Sequence, residues 1–291
     1  MNVENVLLDV SVRDKSGQWV SGLSKDNFQV IENGEPQSID WFTSEDIPVT
    51  LGIVLDTSAS MRPKRPEAIT AALAFVRTSN PHDEMFVVSF NERVHFALPN
   101  EVPFSDDPVK LRDALIMLEP SGRTALYDAI AKALAHAETG SHGRKALLVI
   151  SDGGDNASAI DWKEMEKLAL ESKATIFTIG IFSPEDKDKN PGVLKQLARI
   201  TGGEAYMPRK LTDLSGICQL VAKDIRNRYV LSYTPDHKKP VGRERKIQVN
   251  AQSGDRGKMS VTTRTRYLAP EPAGSGPGQP TSKYIKPNQG E

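Results

Sequence analysis

The chain of 291 residues contains one cysteine, Cys218, which excludes an internal disulfide and any multi-cysteine metal site. It stands in "LSGICQLVAKDI", at helical spacing beside apolar neighbours, and reads as packing. Long apolar runs are missing as well. Nothing approaches the ~18 residues of a membrane span, so no membrane insertion is expected. Charge of one sign is absent, with 37 Lys and Arg against 38 Asp and Glu and a net charge of −1. No global field draws the chain to nucleic acid or to an anionic membrane. His82, His95, His136, His142 and His237 show no paired spacing and take no ligand role. "RNRY" and "GRERK" group basic residues, but neighbouring Asp and Glu argue against a phosphate-binding patch. The opening "MNVENVLLDVSVRD" lacks a basic flank and an apolar block, so it reads as a strand, not a signal peptide.

What is present falls into regions. Residues 1–43 alternate as strands, with "KSGQ" and "ENGE" as turns. From Val49 the pattern changes: "VTLGIVL", "EMFVVSFN", "RKALLVISD" and "ATIFTIGIF" are apolar strands separated by helical stretches of about a dozen residues. Such alternation predicts an α/β unit over 49–227, a doubly wound, mostly parallel sheet with function at the strands' carboxyl ends. "LAFV" and "LIML" read as core stripes of its helices. Residues 228–268 return to alternating strands, "SGDRG" serving as a hairpin connection, and 269–291 read as a disordered Pro- and Gly-rich tail. A lone hairpin is marginal, whereas the two terminal strand groups together supply about six strands. The expected architecture is therefore a small β-sandwich of N- and C-terminal strands, with the α/β domain inserted between them.

The chemistry concentrates at strand ends. In "LGIVLDTSASMR" an apolar strand ends on Asp56, followed by Ser58 and Ser60. Side chains two apart in extended chain point the same way, so these three oxygens converge. Hard oxygen ligands suit Mg²⁺, Mn²⁺ or Ca²⁺ and disfavour zinc or copper. Asp152 ends its strand as Asp56 does, and Thr124 stands just ahead of a helix. Taken alone, "DTSAS" is equally a turn in which Ser or Asp caps the next helix. Asp155 and Asn156 read as turn residues or as a rim, Arg123 as a solvated arginine or a contact for an acidic ligand, and "PEDKDKN" as a solvated loop.

The D-x-S-x-S stretch "DTSAS", Thr124 in its own loop and Asp152 in "SDG" resemble the metal-ion-dependent adhesion site of von Willebrand factor A domains. The flanks "GLSKDNFQVIENGEPQSIDWF" and "RYVLSYTP…KIQV" are similar to VWFA-related proteins of Acidobacteria. The resemblance implies a Rossmann-like domain whose cation is held by Asp56, Ser58, Ser60, Thr124 and Asp152 and binds a partner protein through an Asp or Glu side chain. It further implies a secreted or periplasmic location. Two other classes compete. In a scaffold the cation would only tether loops. A Mg²⁺-dependent phosphotransferase of the haloacid dehalogenase type needs an acid where Ser58 stands, and a hydroxyl of ordinary pKa cannot serve as that acid. No G-x-S-x-G elbow and no G-x-G-x-x-G follows a strand, so an enzyme is not expected.

Overall fold

The computed structural model describes residues 5–183, 188–235, 244–254 and 258–268. The expected tail, the start of "PEDKDKN" and the last three residues of "SGDRG" lie outside the described residues.

The chain opens with β1 (Val6–Arg13), β2 (Phe28–Glu32), β3 (Glu35–Gln37) and β4 (Trp41–Thr43). The next segment holds β5 (Val49–Asp56), α1 (Arg65–Thr78), β6 (Glu84–Phe90), β7 (Val94–Phe96), α2 (Pro108–Ile116) and α3 (Leu126–Glu138). It continues through β8 (Arg144–Ser151), α4 (Trp162–Glu171), β9 (Thr175–Gly180), α5 (Pro191–Thr201), β10 (Ala205–Tyr206) and α6 (Leu214–Arg226). The described chain closes with β11 (Tyr229–Tyr233), β12 (Glu244–Ala251), β13 (Ser260–Thr262) and β14 (Arg266–Leu268).

The central sheet runs β10-β9-β8-β5-β6-β7. Every neighbour pair is parallel except the β6–β7 hairpin. β5 and β8 are buried along their whole length, which is why both read as continuous apolar runs. Three of the six described α-helices start where a side chain offers a cap: Asp107 accepts from Val109 N–H, Asp161 from Glu164 N–H and Asn190 from Val193 N–H. Packed pairs α1–α6 and α3–α4 complete the layers. The fold is mixed α/β, as the strand–helix alternation predicts.

The remaining strands make two four-stranded antiparallel sheets, β13-β1-β11-β4 and β14-β12-β2-β3. They share one apolar core, in which Leu8, Val10, Phe28, Val30, Leu231 and Val249 meet. Each sheet mixes strands from both ends of the chain.

Two local expectations fail. "SGDRG" does not connect a hairpin, because β12 pairs with β2 and β14 whereas β13 pairs with β1 in the other sheet. "KMSVTTRTRYL" is accordingly two short strands that change sheets. Between them Arg264 is buried and donates to Ser172 C=O at 2.7 Å, pulling the chain toward the α/β unit. Half of the "LIML" stripe is not core: Leu115 and Leu118 are buried, but Ile116 is 46% exposed and Met117 80%. Here α2 stops early because Arg65 takes the carbonyls of Ile116 and Leu118, both at 2.6 Å.

Buried polar pairs join the two units. Asp9 on β1 meets Arg144 on β8 at 2.8 Å. Asp224 on α6 accepts from Ser11 on β1, from Trp19 Nε1 and from Arg228 at 2.7–2.8 Å. Burial raises the Asp224 carboxyl, but the Arg228 charge and these hydrogen bonds outweigh it and hold the pKa at about 2. A depressed pKa stabilises the fold above the unfolded carboxylate value near ~4, and that stability is lost as pH falls toward about 2. Asp224→Ala leaves Arg228 buried without its anion, so a loss of about 3–5 kcal/mol is expected in urea unfolding at neutral pH. An unchanged unfolding midpoint would contradict this account. Removing residues 1–43 takes β1 from between β13 and β11 and should leave a 44–291 fragment aggregated through its open edges. A soluble, cooperatively folding fragment, seen by gel filtration and thermal melting, would argue against that.

Candidate metal centre

Register brings the strand ends together. Leu55 pairs with Ile150, so the next residues along β5 and β8, Asp56 and Ser151, lie side by side. Ser151 Oγ donates to Asp56 Oδ2 at 2.7 Å and Ser58 N–H donates to Asp56 Oδ1 at 2.8 Å. Past Asp56 the chain stays extended only to Ser58 and then enters a 3-10 helix, Ala59–Lys64. Thr57 turns inward, its N–H and hydroxyl donating to Phe90 C=O at 2.8 and 3.0 Å, which sends Ser58 the other way. Ser60 comes beside it through the first turn of that helix and not, as expected, by strand alternation.

Ser58 Oγ and Ser60 Oγ are 3.1 Å apart, and Ser60 Oγ donates to Asp152 Oδ2 at 2.8 Å. Three of the five residues proposed from sequence thus form one hydrogen-bonded chain across two loops. Together with Thr124 they line an open cleft of about 500 Å³, shared with Gly122, Arg123, Asn156 and Asp188. Asp56 lies beneath, only 2% exposed. Burial pushes its carboxyl up to about 6; hydrogen bonds from Ser58 and Ser151 oppose the shift and the nearby Asp152 charge adds to it.

Neighbouring loops fix the rest. Gly153 has φ +77°, and a Cβ there would strike the Asn190 carbonyl. The absence of that atom lets the 188–190 loop approach, with Asn190 N–H donating to Asp152 C=O at 3.1 Å. Asn156 Oδ1 accepts from Thr124 N–H at 2.9 Å, while Asn156 N–H donates to Thr124 C=O at 2.9 Å. Its Nδ2 donates to Asp188 Oδ2 at 2.8 Å. Asp155 caps α3 instead, accepting from Tyr127 N–H at 2.9 Å. Asn156 is therefore a rim residue and Asp155 a turn residue. Ser151, Asn156 and Asp188 carry no spacing signal in the sequence beyond the polar density of "SDGGDN" and "DKN".

The donor set at this end of the sheet is two carboxylates and three hydroxyls. All are oxygen, which fits a hard divalent cation. Among the described residues no group of three His, Cys, Asp or Glu side chains gathers to hold a metal, so a nitrogen- or sulfur-rich centre has no counterpart there. A buried carboxyl at about 6 beside a second carboxylate is a charge deficit that a cation would relieve.

A raised folded-state pKa favours the fold below the unfolded value, near ~4, and that contribution disappears as pH climbs through about 6. In chelator, stability should therefore drop between these values. Asp56→Asn should remove on the order of 2 kcal/mol of that drop, leaving the share of Asp83, whose carboxyl burial also raises to about 6. The check is urea unfolding at pH 4, 5, 6 and 7, and identical pH profiles in the two proteins would refute the assignment.

Residues 51–154 match the family model described as von Willebrand factor type A domain. No curated protein matches the sequence. Similar solved structures include a von Willebrand factor type A protein from Catenulispora acidiphila, 15% identical, with 93% of this chain and 75% of that chain covered at a TM-score of 0.56. The vWF domain of the type V pili tip protein Mfa5 from Porphyromonas gingivalis is 16% identical over 62% of this chain and 95% of its own, at a TM-score of 0.52. Proximal thread matrix protein 1 from the mussel byssus, solved with a zinc-occupied MIDAS motif, is 20% identical over 62% of this chain and 48% of its own, at a TM-score of 0.51. Identities this low speak for the fold alone, whereas the family match spans all three loops of the cleft: residues 51–154 are similar to von Willebrand factor type A domains.

Proposed function

We propose that the protein is a divalent-cation-dependent protein-binding module, with Asp56, Ser58, Ser60, Thr124 and Asp152 as the cation's ligands. The observation that carries this reading is the hydrogen-bonded chain Ser58–Ser60–Asp152 lining one cleft with Thr124, directly above the buried Asp56. A bound cation supplies a positive centre that can accept a carboxylate oxygen in place of water. Two carboxylates balance a divalent charge and three neutral hydroxyls add none, so receptivity comes from coordination. Five protein oxygens leave at least one position of a six-coordinate ion for water or for an Asp or Glu side chain of a partner protein. Arg123, exposed at the cleft, offers a second positive group to the same acidic partner.

The chain's own residues do the holding. Ser151 and Ser58 N–H orient the two Asp56 oxygens, Gly154 N–H fixes Asp152 Oδ1 at 3.0 Å, and Asn156 fixes the Thr124 backbone. Mg²⁺ suits this oxygen-only shell, with Mn²⁺ or Ca²⁺ as alternatives. The zinc in the byssus protein's motif belongs to that protein. An adhesion-type role in a secreted or periplasmic setting is supported by the pilus-tip and byssus proteins of the same fold. It is also compatible with the absence, among the described residues, of a helix long and apolar enough to cross a membrane. The Ser60–Asp152 bond favours a second reading, in which the cation only ties the first and third loops together.

Calorimetric titration of the full chain with Mg²⁺ should give one site in the wild type and none in Asp56→Ala, whose circular dichroism stays native. Affinity should rise as pH passes about 6, because Asp56 must release its proton to ligate. At a Mg²⁺ concentration about 100 times its Kd, binding should add about 2.7 kcal/mol to unfolding stability. Equal Mg²⁺ affinity in wild type and Asp56→Ala would overturn the ligand assignment. Partner capture that survives EDTA while the melting temperature falls would establish the loop-tethering reading instead.

A further inference from the structure

The turn of the β6–β7 hairpin, Asn91–Arg93, also bonds to the Thr124 loop. Asn91 C=O accepts from Ala125 N–H at 2.8 Å, and Asn91 Nδ2 donates to Ser121 Oγ at 3.2 Å. Between these contacts the Glu92 carboxylate accepts from Arg123 N–H at 2.8 Å. Three consecutive amides thus end on three different acceptors: Arg123 on Glu92, Thr124 on Asn156 and Ala125 on Asn91. A loop whose successive N–H groups are all taken from outside has little freedom to re-aim its side chains.

Gly122 shows that Glu92 has a built seat. Its φ is +73°, and a Cβ there would fall on the Glu92 carboxylate, which fills that space. Gly122 C=O in turn accepts from Ala59 N–H at 3.1 Å, between Ser58 and Ser60. The Glu92 seat therefore borders both ligand-bearing loops. The Glu92 carboxyl is held below its ordinary value, chiefly by the Arg123 amide, so it is ionised and accepting at neutral pH.

We propose that Glu92 is a positioning residue of the cation site: by holding the Arg123 amide beside Gly122, it sets the Thr124 hydroxyl relative to Ser58 and Ser60. This role rests on the cation-binding reading. It attaches the hairpin turn to the site as a further contributing loop, through a residue that never touches the ion. Outer partners of metal ligands typically change affinity by about 10–100-fold when removed, and an exposed one belongs at the low end of that range.

The test is Mg²⁺ titration of full-length Glu92→Ala, Glu92→Gln, Gly122→Ala and the Glu92→Ala/Gly122→Ala double variant, with amide hydrogen exchange at residues 123–125. Glu92→Ala should bind Mg²⁺ roughly tenfold more weakly and exchange faster at Arg123, with a melting temperature in EDTA within about 2 °C of wild type. Glu92→Gln keeps an acceptor and should stay within about threefold of wild type. Gly122→Ala should evict the carboxylate and lose affinity too. The double variant should lose less than the two single losses combined, since both changes empty the same seat and only the strain of a Cβ at φ +73° is left to add. Wild-type affinity in Glu92→Ala would overturn the proposal. So would Glu92→Gln as weak as Glu92→Ala, which would mark a distant charge effect, or strictly additive losses. If the wild type takes up no Mg²⁺, the cation reading falls, and unaltered Arg123 exchange in Glu92→Ala would separately dismiss the anchoring role.

Discussion

Parallel pairing of β5 with β8, in the register that sets Leu55 against Ile150, is the constraint on which the candidate site depends. In a parallel pair both strands point the same way, so both carboxyl ends emerge at one rim. Asp56 and Asp152 each follow an apolar strand, and the register decides that Ser151 stands beside Asp56 while Asp152 reaches Ser60. A slip of one residue would turn alternate side chains to the opposite face and part these oxygens. The cost of such a slip is dispersed along the strands, because every residue of β5 and β8 is buried. The chemistry at the rim is therefore held by packing several residues below it.

The sandwich and the α/β unit meet through charge as well as apolar surface. Asp9–Arg144 and Asp224–Arg228 are almost fully shielded from solvent, and Ser11 and Trp19 occupy further acceptor capacity of Asp224. Within the sandwich Glu32 plays a similar part, accepting from Tyr233, Tyr267 and Arg245 at 2.8–2.9 Å. Such directional networks contribute less net stability than apolar packing of equal volume, but they admit few alternative arrangements. One orientation of α6 against β1 satisfies Asp224, and the start of β11 follows from it.

Much of this is legible in the sequence, for physical reasons that differ by element. A strand buried on both faces must be continuously apolar, so β5 and β8 announce themselves. In "DTSAS" the spacing of Asp56 and Ser58 follows from extended geometry, whereas Ser60 lies in a 3-10 turn that the alternation does not reveal. Thr124 lies in a loop without periodicity, and only its likeness to a known motif singles it out. Glu92, Asn156 and Asp188 act through hydrogen bonds between loops distant in the chain; no one-dimensional spacing encodes such bonds. The same limit hides the change of sheets between β13 and β14, because an alternating segment specifies its buried face and not its partner strand. In α2 the helical period runs on past the point where Arg65 diverts the carbonyls, so Ile116 and Met117 resemble core from sequence and face water in the fold.

The sandwich has a consequence for how the chain is made. Ser11 and its partner Asp224 are separated by 213 positions, so a ribosome adding about 5–20 residues per second needs roughly 10–40 seconds to reach β1's neighbour. During that interval β1 and β4 have no strand to pair with, and β2 has only β3. The intervening α/β unit, built from nearer contacts, can settle first and deliver its exit beside its entry, where Arg226 meets Asp46 at 2.8 Å. Closure of the β-layer then waits for the strands that follow α6, and nascent chains caught before it display unpaired strands to whatever chaperone or protease is nearby.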